Sequence, residues 1–469
     1  MREKTRTGAL FRRSLAAALA LTLLAGLIRA GAETGEETEY IVKYKASVLR
    51  LMDADRPFEV VDEAHLARLL EADLVEWYEP DGTAYLLDPL PDGASLQGAI
   101  SPWYADEMWH LDMIGAEAAY ELDAVGQGVR VAVIDSGANP HPDLEGRLET
   151  GWNYLRQNNS SGDSNGHGTG VCGLIAGGGE SGMVGTAPKA TLIPLKCFEG
   201  TTTKVSLVCQ AIWGAVDDYD CDVINLSVGI PDSSVALEEA VAHAVENGVI
   251  VVAAAGNGGT RIKHYPAAYP EVIGVGNVDC TGTVYKTSNH NESVLLTAPG
   301  TEVPSLDFLG GYDTFTGCSV SAPLVTGAVA DLLSLEPGLT RQEVFTILSE
   351  TATDRGRPGW DEYYGWGILN LRGCVLALSP GSGFRISLPW TQDGRRFVSA
   401  VNRTEAETSC FLIFAAYDGD GRQTSVSVTP LLLPAKGRET VELPGGTDKA
   451  FLCGEDLRPL TPPLELPSE

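Results

Sequence analysis

Residues 313–327 read DTFTGCSVSAPLVTG, a turn of small residues that leads directly into an apolar helix. Ser319 lies at the predicted start of that helix. A hydroxyl there is next to unpaired backbone N–H groups and to the positive end of the helix dipole, which stabilise the anionic intermediate of an acyl transfer. A serine at a helix start is more often only a cap, so a nucleophile at Ser319 requires a base, an acid and an oxyanion donor elsewhere.

Three upstream stretches supply these groups. Residues 129–135 form an apolar run, typical of a strand buried in a parallel sheet, which ends in Asp135. His167 opens a predicted helix whose glycines permit close packing, and a second buried run ends close to Asn257. Each residue alone is more often structural than functional. Asp, His, Asn and Ser in this order, each at a strand end or a helix start, are difficult to explain as caps.

Eight short motifs accompany these four residues. They are DSG at 135–137, HPDL at 141–144, GHGT at 166–169, VINLSVG at 223–229, AGN at 255–257, YPAAYP at 265–270, APG at 298–300 and GCSVSAP at 317–323. Over about residues 105–375 the chain therefore resembles the subtilisin-like serine peptidases, the subtilases, in which Asp, His and Ser follow in this chain order. Cys318 departs from the family, which usually has Thr before the nucleophile. We therefore expect activity, at a rate that the Thr-to-Cys difference can lower relative to other members.

The resemblance implies a fold and a mechanism. The fold is α/β, a parallel sheet with helices on both faces. Ser319 is then the nucleophile of a serine endopeptidase, His167 the general base and Asp135 the residue that orients the histidine. The Asn257 amide and the Ser319 backbone N–H bind the oxyanion. The alternative is a subtilase fold without catalytic activity that serves as a binding or surface protein.

The resemblance also implies where substrate binds. Ser227, Val228 and Gly229 are expected to pair with the substrate backbone as an added strand, and a propeptide tail is expected to lie there in the same way. Ala255 and Gly256 are expected to wall the pocket for the side chain before the scissile bond. The expected partners are protein or peptide substrates.

The loop at residues 258–264 follows the oxyanion asparagine and is unusually basic for this chain. It carries Arg261, Lys263 and His264. The simpler interpretation is solvated loop charge. The alternative is that His264 or Lys263 points into the substrate pocket, which would then accept an acidic or polar residue before the cleaved bond.

The family resemblance implies no cofactor for the chemistry, although members often bind structural calcium. Asp143 matches a calcium-ligand position of the family. The loop at residues 177–182 lacks the asparagine ligands that usually complete that site. Structural Ca²⁺ is therefore an expectation that depends on Asp143 alone.

Length and composition limit the alternatives. A chain of 469 residues suggests two or three domains. The 53 glycines and the aromatic content of 7% suit a core of small residues with glycine-rich turns. The formal net charge of −30 argues against nucleic acid or an anionic membrane as a partner.

The first 32 residues have the composition of a secretory signal peptide. A basic start precedes an apolar core at residues 14–28 and a small-residue site, Ala30-Gly-Ala32. The alternative is an uncleaved N-terminal anchor. A cleaved signal predicts a secreted or cell-surface protein with no membrane contact after its removal.

Residues 33–100 are expected to form an inhibitory propeptide. A strand from Tyr40, a helix begun by Asp62 and a hairpin around residues 80–82 make a small α+β unit, which resembles the propeptides of exported subtilases. The alternative is a permanently attached domain. Residues 88–100 look like an exposed linker, with processing there or just after.

The remainder divides at about residue 380. Residues 101–379 alternate strands and helices, as expected for the peptidase domain, whereas residues 380–469 read as short strands and predict a small β-sandwich-like accessory module. Residues 418–421 (DGDG) look more like a hairpin turn than a calcium loop. The odd number of nine cysteines implies at least one free thiol or an intermolecular bridge, and a Cys410–Cys453 pair stays open at this point.

Overall fold

The protein is described from a computed structural model, which covers residues 38–52, 57–87, 108–378 and, with short gaps, 384–465. The predicted signal peptide at residues 1–32, the linker at 88–100 and the turn at 418–421 lie outside the described residues. The described chain forms an N-terminal α+β unit, a central α/β unit and a C-terminal β unit.

The N-terminal unit packs helices on an antiparallel sheet with the strand order β2-β1-β3. Its elements are β1 Glu39–Tyr44, α1 Ala46–Met52, β2 Phe58–Asp62, α2 Glu63–Glu71, β3 Val75–Pro80 and β4 Thr83–Leu86. Asp62 ends β2 and caps α2, because its carboxylate accepts the His65 N–H at 2.6 Å. Residues 60–62 are therefore strand, and the predicted helix begins only after Asp62.

The predicted hairpin around residues 80–82 is wrong. β3 pairs with β1, whereas β4 pairs with two strands of the central unit. Asp81, at the turn, explains why the chain crosses over. Its carboxylate accepts the Ser206 N–H at 3.0 Å and the Ser206 hydroxyl at 2.6 Å, and so ties the turn to the central unit.

The central unit contains a seven-stranded parallel sheet in the order β13-β12-β11-β9-β5-β7-β6. Its described helices are α3 Trp109–Ile114, α4 Glu117–Glu121, α5 His167–Ala176, α6 Val205–Asp217, α7 Val235–Glu246, α8 Cys318–Leu335, α9 Arg341–Thr351 and α10 Leu371–Leu378. Its described strands are β5 Arg130–Asp135, β6 Trp152–Asn153, β7 Thr191–Lys196, β8 Thr202–Lys204, β9 Val223–Leu226, β10 Val228–Gly229, β11 Ile250–Ala254, β12 Ile273–Val278, β13 Leu296–Pro299, β14 Val303–Leu306 and β15 Tyr312–Phe315.

Alternate residues of the sheet enter two separate cores. In β5, Val131 and Val133 join the apolar cluster that contains α5, α8, α9 and α10. Ala132 and Ile134 join the cluster that contains α6 and α7. Because both faces of the strands are buried, they read as continuous apolar runs in the sequence. The predicted α/β fold with helices on both faces of a parallel sheet is confirmed.

The helix that begins beside Ser319 is the central element of one of these cores. By length and apolar composition, α8 is the one helix of the described residues that could cross a membrane, and 89% of it is buried inside the protein. Its apolar character therefore reflects packing between the sheet and α5.

The C-terminal unit is the predicted β-rich region. β18 pairs with β16, β17 and β21, and a second sheet has the order β20-β19-β22-β23. The two sheets share one apolar core, as in a β-sandwich. The described strands are β16 Phe384–Ile386, β17 Trp390–Gln392, β18 Arg395–Asn402, β19 Thr408–Tyr417, β20 Gln423–Leu433, β21 Arg438–Glu442, β22 Lys449–Gly454 and β23 Leu464–Glu465.

All nine cysteines lie in described segments, and none of them is in a disulfide. Cys410 and Cys453 are on adjacent antiparallel strands, but Cys410 opposes Gly454 whereas Cys453 opposes Phe411. Since neighbouring residues of a strand point to opposite faces, the two thiols face away from each other. The disulfide that the sequence left open does not form.

Candidate active site

The four residues singled out in the sequence lie at element boundaries near one edge of the sheet. Asp135 is the last residue of β5, His167 the first of α5 and Ser319 the second of α8. Asn257 follows β11. Helix α5 packs against α8, which brings the starts of both helices to the carboxyl ends of the parallel strands.

Asp135 and His167 are in direct contact. His167 Nδ1 lies 2.8 Å from Asp135 Oδ1 and 2.9 Å from Oδ2, and both side chains are buried. Asp135 Oδ1 also accepts the Ser136 N–H at 2.6 Å. A carboxylate can only accept hydrogen bonds, so Nδ1 carries the proton and Nε2 is the basic nitrogen of the ring.

A second buried carboxylate, Asp163, fixes the loop before His167 and was missed from the sequence. Oδ1 accepts the Ser136 hydroxyl and the N–H groups of Asn165 and Gly166, each at 2.9 Å. Oδ2 accepts the N–H and the hydroxyl of Thr169 at 2.9 and 2.7 Å. An acidic residue just before a helix start is a cap signal that could have identified it.

Lys196 is a buried cation next to the same network. It stands opposite Asp135 in the register of β5 and β7, and its ammonium donates to the Ser136 carbonyl at 2.5 Å. Burial lowers the pKa of Lys196, while Asp163 opposes that shift. Nothing in the apolar run of residues 192–196 indicated this role.

Asn257 is attached to the start of α8. Its Oδ1 accepts the Cys318 N–H at 2.9 Å, and its Nδ2 is buried with no hydrogen-bond partner in the described part of the chain. Cys318, also buried, donates its thiol to the Gly256 carbonyl at 3.2 Å. An amide donor is therefore held at the helix start with its N–H groups uncommitted, where a ligand oxygen would satisfy them.

The expected substrate strand is joined to Ser319. The Ser227 hydroxyl donates to the Ser319 carbonyl at 3.1 Å and accepts the Asn225 amide at 3.2 Å. The Thr326 hydroxyl, on α8, donates to the side-chain Oδ1 of Asn225 at 2.8 Å. Val228 and Gly229 form β10 directly after Ser227, so α8 and this strand are held together by a chain of hydrogen bonds.

Ala255, Gly256 and His264 form one small cluster. Ala255 is buried and Gly256 has φ of +108°, and a Cβ on Gly256 would come within 2.6 Å of His264 Nδ1. The Asn289 amide donates to that nitrogen at 2.8 Å. Burial lowers the pKa of His264, which keeps the ring neutral at neutral pH.

Lys263 is committed to another partner. Its ammonium pairs with Glu292 at 2.7 Å, and this hydrogen bond raises the pKa of Lys263. Arg261 likewise pairs with Glu362. With both of these cations paired and burial disfavouring the charged form of His264, the loop supplies no free cation for an acidic substrate side chain. These contacts favour the interpretation of the loop charge as solvated.

The surroundings of Asp143 do not fit a calcium ion. Its carboxylate accepts the N–H groups of Ser181 and Met183 at 2.5 and 3.2 Å and the Tyr312 hydroxyl at 2.7 Å. Calcium needs oxygen ligands, whereas these contacts are hydrogen-bond donors. No group of three or more His, Cys, Asp or Glu side chains that could hold a metal ion occurs among the described residues. The expected calcium ligand at Asp143 is therefore not supported by its contacts, and calcium binding is left to a test with a chelator.

Comparison with known proteins matches the sequence to a family. A family model described as the subtilase family matches residues 126–367. Subtilisin E of Bacillus subtilis (strain 168) is 32% identical over 369 residues, which cover 74% of this chain and 93% of the relative. Subtilisin Savinase of Lederbergia lenta is 35% identical over 264 residues, covering 56% and 96%. An alkaline protease of Alkalihalobacillus alcalophilus is 33% identical over 298 residues, covering 63% and 77%.

The parallel sheet, the pair at the start of α5 and these relatives together define a subtilisin-like serine protease. The chain belongs to the subtilase family. The expected class of enzyme is thereby confirmed.

Proposed function

We propose that the protein is an exported serine endopeptidase that hydrolyses peptide bonds through an acyl-enzyme formed on Ser319. The observation that carries the proposal is the buried hydrogen bond between His167 Nδ1 and Asp135, at the start of a helix packed against the helix of Ser319. This bond fixes the tautomer in which Nε2 can accept a proton.

The proposed chemistry follows from these groups. The Ser319 hydroxyl adds to the substrate carbonyl as its proton passes to His167 Nε2, and Asp135 stabilises the imidazolium that forms. The same proton then goes to the leaving amine as the C–N bond breaks and the ester remains. Water hydrolyses the ester with His167 again as base, which releases a carboxylate and restores the hydroxyl.

Asn257 is the proposed side-chain donor of the oxyanion hole, with the Ser319 backbone N–H as its partner. The uncommitted Nδ2 supports this role, since an oxyanion would complete its hydrogen bonding. Loss of the equivalent donor in subtilisin, a member of the same family, is known to reduce turnover by about 10²–10³, and we expect a similar loss here. The chemistry requires no cofactor. A melting temperature unchanged by a chelator is expected from the contacts of Asp143.

The N-terminal unit is the proposed intramolecular inhibitor, within residues 33–100. β4 lies between β10 and β8, in the position expected for a substrate backbone. Glu79 accepts the Ser234 hydroxyl at 2.6 Å and the N–H groups of Val235 and Ala236 at 2.9 Å, at the start of α7. These contacts cap a helix of the central unit and support a role of the N-terminal unit in covering the proposed substrate strands.

The remaining proposals concern location and organisation. Residues 1–32 act as a signal peptide, residues 101–379 as the peptidase domain and residues 380–469 as an accessory module. The mature protein is secreted or at the cell surface and acts on proteins or peptides. Its acidic charge argues against nucleic acid and, after signal removal, against a membrane as partners.

A fluorophosphonate probe tests the proposed chemistry. The purified protein should be labelled on Ser319 and should hydrolyse a casein or peptide substrate, whereas Ser319→Ala should do neither. Cys318→Ser is the matched neighbour and should still be labelled. A folded protein that is neither labelled nor active would support the alternative of a subtilase fold used only for binding.

A further inference from the structure

The segment that ends in Leu87 follows the backbone path of a substrate. β4 is antiparallel to β10, with Leu86 opposite Val228 and Tyr85 opposite Gly229. On its other side it is antiparallel to β8, with Ala84 opposite Thr203. Main-chain pairing on both edges is independent of side chains, so a peptide substrate could adopt the same position.

The end of the strand lies next to Ser227, a residue that contacts Ser319. The Leu86 N–H donates to the Thr201 carbonyl at 2.9 Å, and the Leu87 N–H donates to the Ser227 carbonyl at 3.1 Å. The hydroxyl of the same Ser227 donates to the Ser319 carbonyl at 3.1 Å. Ser227 therefore links Leu87 to Ser319, since it forms a hydrogen bond with each of them.

The side chain of Leu87 occupies an apolar pocket. Leu87 is 8% exposed and belongs to the apolar cluster that includes Ala254, at the end of β11, and Cys318. A Cβ on Gly229 would come within 2.9 Å of Leu87 Cδ1, so glycine at that position makes room for the leucine. The Gly229 contact lies in the segment expected to bind substrate, residues 227–229.

The other side chains of the segment differ in burial. Ala84 and Leu86 are buried in the second apolar cluster, together with Val228 and Phe198. Tyr85 lies between them and is 44% exposed. The segment thus presents a small residue, a solvent-facing residue and two leucines.

We infer that the peptide bond after Leu87 is the bond this enzyme cleaves in its own chain, and that the Leu87 pocket selects leucine before the scissile bond. The inference rests on the proposed function. Ser319 Oγ bonds to the Leu87 carbonyl carbon, the C–N bond to Asp88 breaks, and the amine takes the proton from His167. Water then hydrolyses the ester, leaving a carboxylate on Leu87 and an ammonium group on Asp88.

The same contacts set the expected specificity. Leucine is favoured at the positions of Leu87 and Leu86, directly before the cleaved bond. A small residue is favoured at the position of Ala84, and the exposed position of Tyr85 accepts any residue. An acidic side chain in the Leu87 pocket would be buried without a cationic partner, since Lys263 pairs with Glu292 and Arg261 pairs with Glu362. The enzyme should therefore discriminate against Glu by at least about 10-fold.

The test follows processing in the full-length protein by intact mass and N-terminal sequencing. The unchanged protein should begin at Asp88, and Ser319→Ala should retain the N-terminal unit. Leu87→Asp should slow processing at this bond at least about 10-fold. Tyr85→Asp is the matched control, because it places the same charge on the exposed face of the same strand and should leave processing unchanged.

Peptides keep the inference testable if Leu87→Asp does not fold. The processed enzyme should cleave after Ala-Tyr-Leu-Leu at least about 10-fold better in kcat/KM than after Ala-Tyr-Leu-Glu. An active enzyme that begins at another residue, cleavage of the bond in Ser319→Ala, or equal rates on the two peptides would overturn the inference while the proposed function stands. A folded protein without activity on any peptide would instead contradict the proposed function.

Discussion

The two appended units hold the central unit in different ways. The N-terminal unit inserts β4 between β10 and β8 and sets Glu79 and Asp81 at the starts of α7 and α6. The C-terminal unit contacts the region of α9, where Arg438 donates to Glu343 and to the Gly338 carbonyl. The first set of contacts covers the proposed substrate strands, and the second involves none of the proposed site residues.

The two units differ in the groups of the central unit that would lose their partners if each unit were released. The helix starts at α6 and α7 would regain water, which can replace an acidic cap. Glu343 has a side chain only 1% exposed, and release of Arg438 would leave it charged and buried. The contacts of the N-terminal unit therefore suit a reversible inhibitor, and the contact of the C-terminal unit suits a permanent support.

Asp331 shows how a buried carboxylate without a hydrogen-bond partner among the described residues affects stability. It lies on α8, and neither carboxylate oxygen has a hydrogen-bond partner within the described residues. Burial raises the pKa of Asp331 well above its usual range. A raised folded-state pKa means that the folded form holds a proton which the unfolded form loses. Stability is therefore full below the unfolded pKa and falls as pH rises toward the folded one.

We expect Asp331→Asn to stabilise the protein increasingly as pH rises. The gain should grow from near zero at about pH 4, by up to about 1.4 kcal/mol for each pH unit. Thermal melting of the protein with and without Asp331→Asn measures this gain. Both proteins carry Ser319→Ala, which prevents self-digestion. Asp232→Asn removes an exposed acid and should show no such slope. A gain that is constant with pH would contradict the raised pKa.

The acidic caps of the N-terminal unit should dominate its affinity. Glu79→Gln combined with Asp81→Asn removes both charges from the two helix starts, at about 1–1.5 kcal/mol each. The inhibition constant of the processed, noncovalent complex should rise about 10²-fold, measured from progress curves after dilution. Glu71→Gln, which removes an exposed charge from α2, is the control. Unchanged inhibition by the double variant would show that β4 and the contacts of Lys43 and Trp77 with Glu239 hold the unit without the caps.

The Arg438 contact should matter for stability and not for catalysis. Arg438→Ala leaves Glu343 charged without its cationic partner, and we expect a loss of about 2 kcal/mol in the free energy of unfolding with kcat/KM unchanged. Arg395→Ala is the matched control, because Arg395 and Glu442 are exposed and 3.6 Å apart. That variant should lose less than about 0.5 kcal/mol. Equal losses of unfolding free energy in Arg438→Ala and Arg395→Ala would show that the buried ion pair is no stronger than the exposed one.

The sequence predicted the elements that are governed by local patterns. The parallel strands could be recognised as continuous apolar runs because both of their faces are buried, and α5 begins at the predicted residue, His167. The Asp135–His167 contact follows from the motif order. The family resemblance, and not the periodicity, supplied that order.

Contacts between distant segments could not be predicted in the same way. Residues 80–82 have the chemistry of a tight turn, so the local signal favoured a hairpin, yet β4 pairs with residues about 140 positions away at Val228. Asp163 and Lys196 act through hydrogen bonds to Ser136 that no spacing rule identifies. The local sequence determines the turn at residues 80–82, whereas pairing with β10 and β8 determines the direction of β4.

Deletion of residues 380–469 gives the smallest expected change in activity. Because Arg438 contacts the α9 region and none of the proposed site residues, hydrolysis of a small peptide should stay within about twofold of the intact enzyme, whereas the melting temperature should fall. Adding Glu343→Gln should recover part of that loss, since glutamine keeps an acceptor for the Thr340 N–H without the buried charge. A folded deletion variant without activity would place function in the C-terminal unit. A variant with no recovery from Glu343→Gln would show that the apolar contacts of the unit, and not its single arginine, support α9.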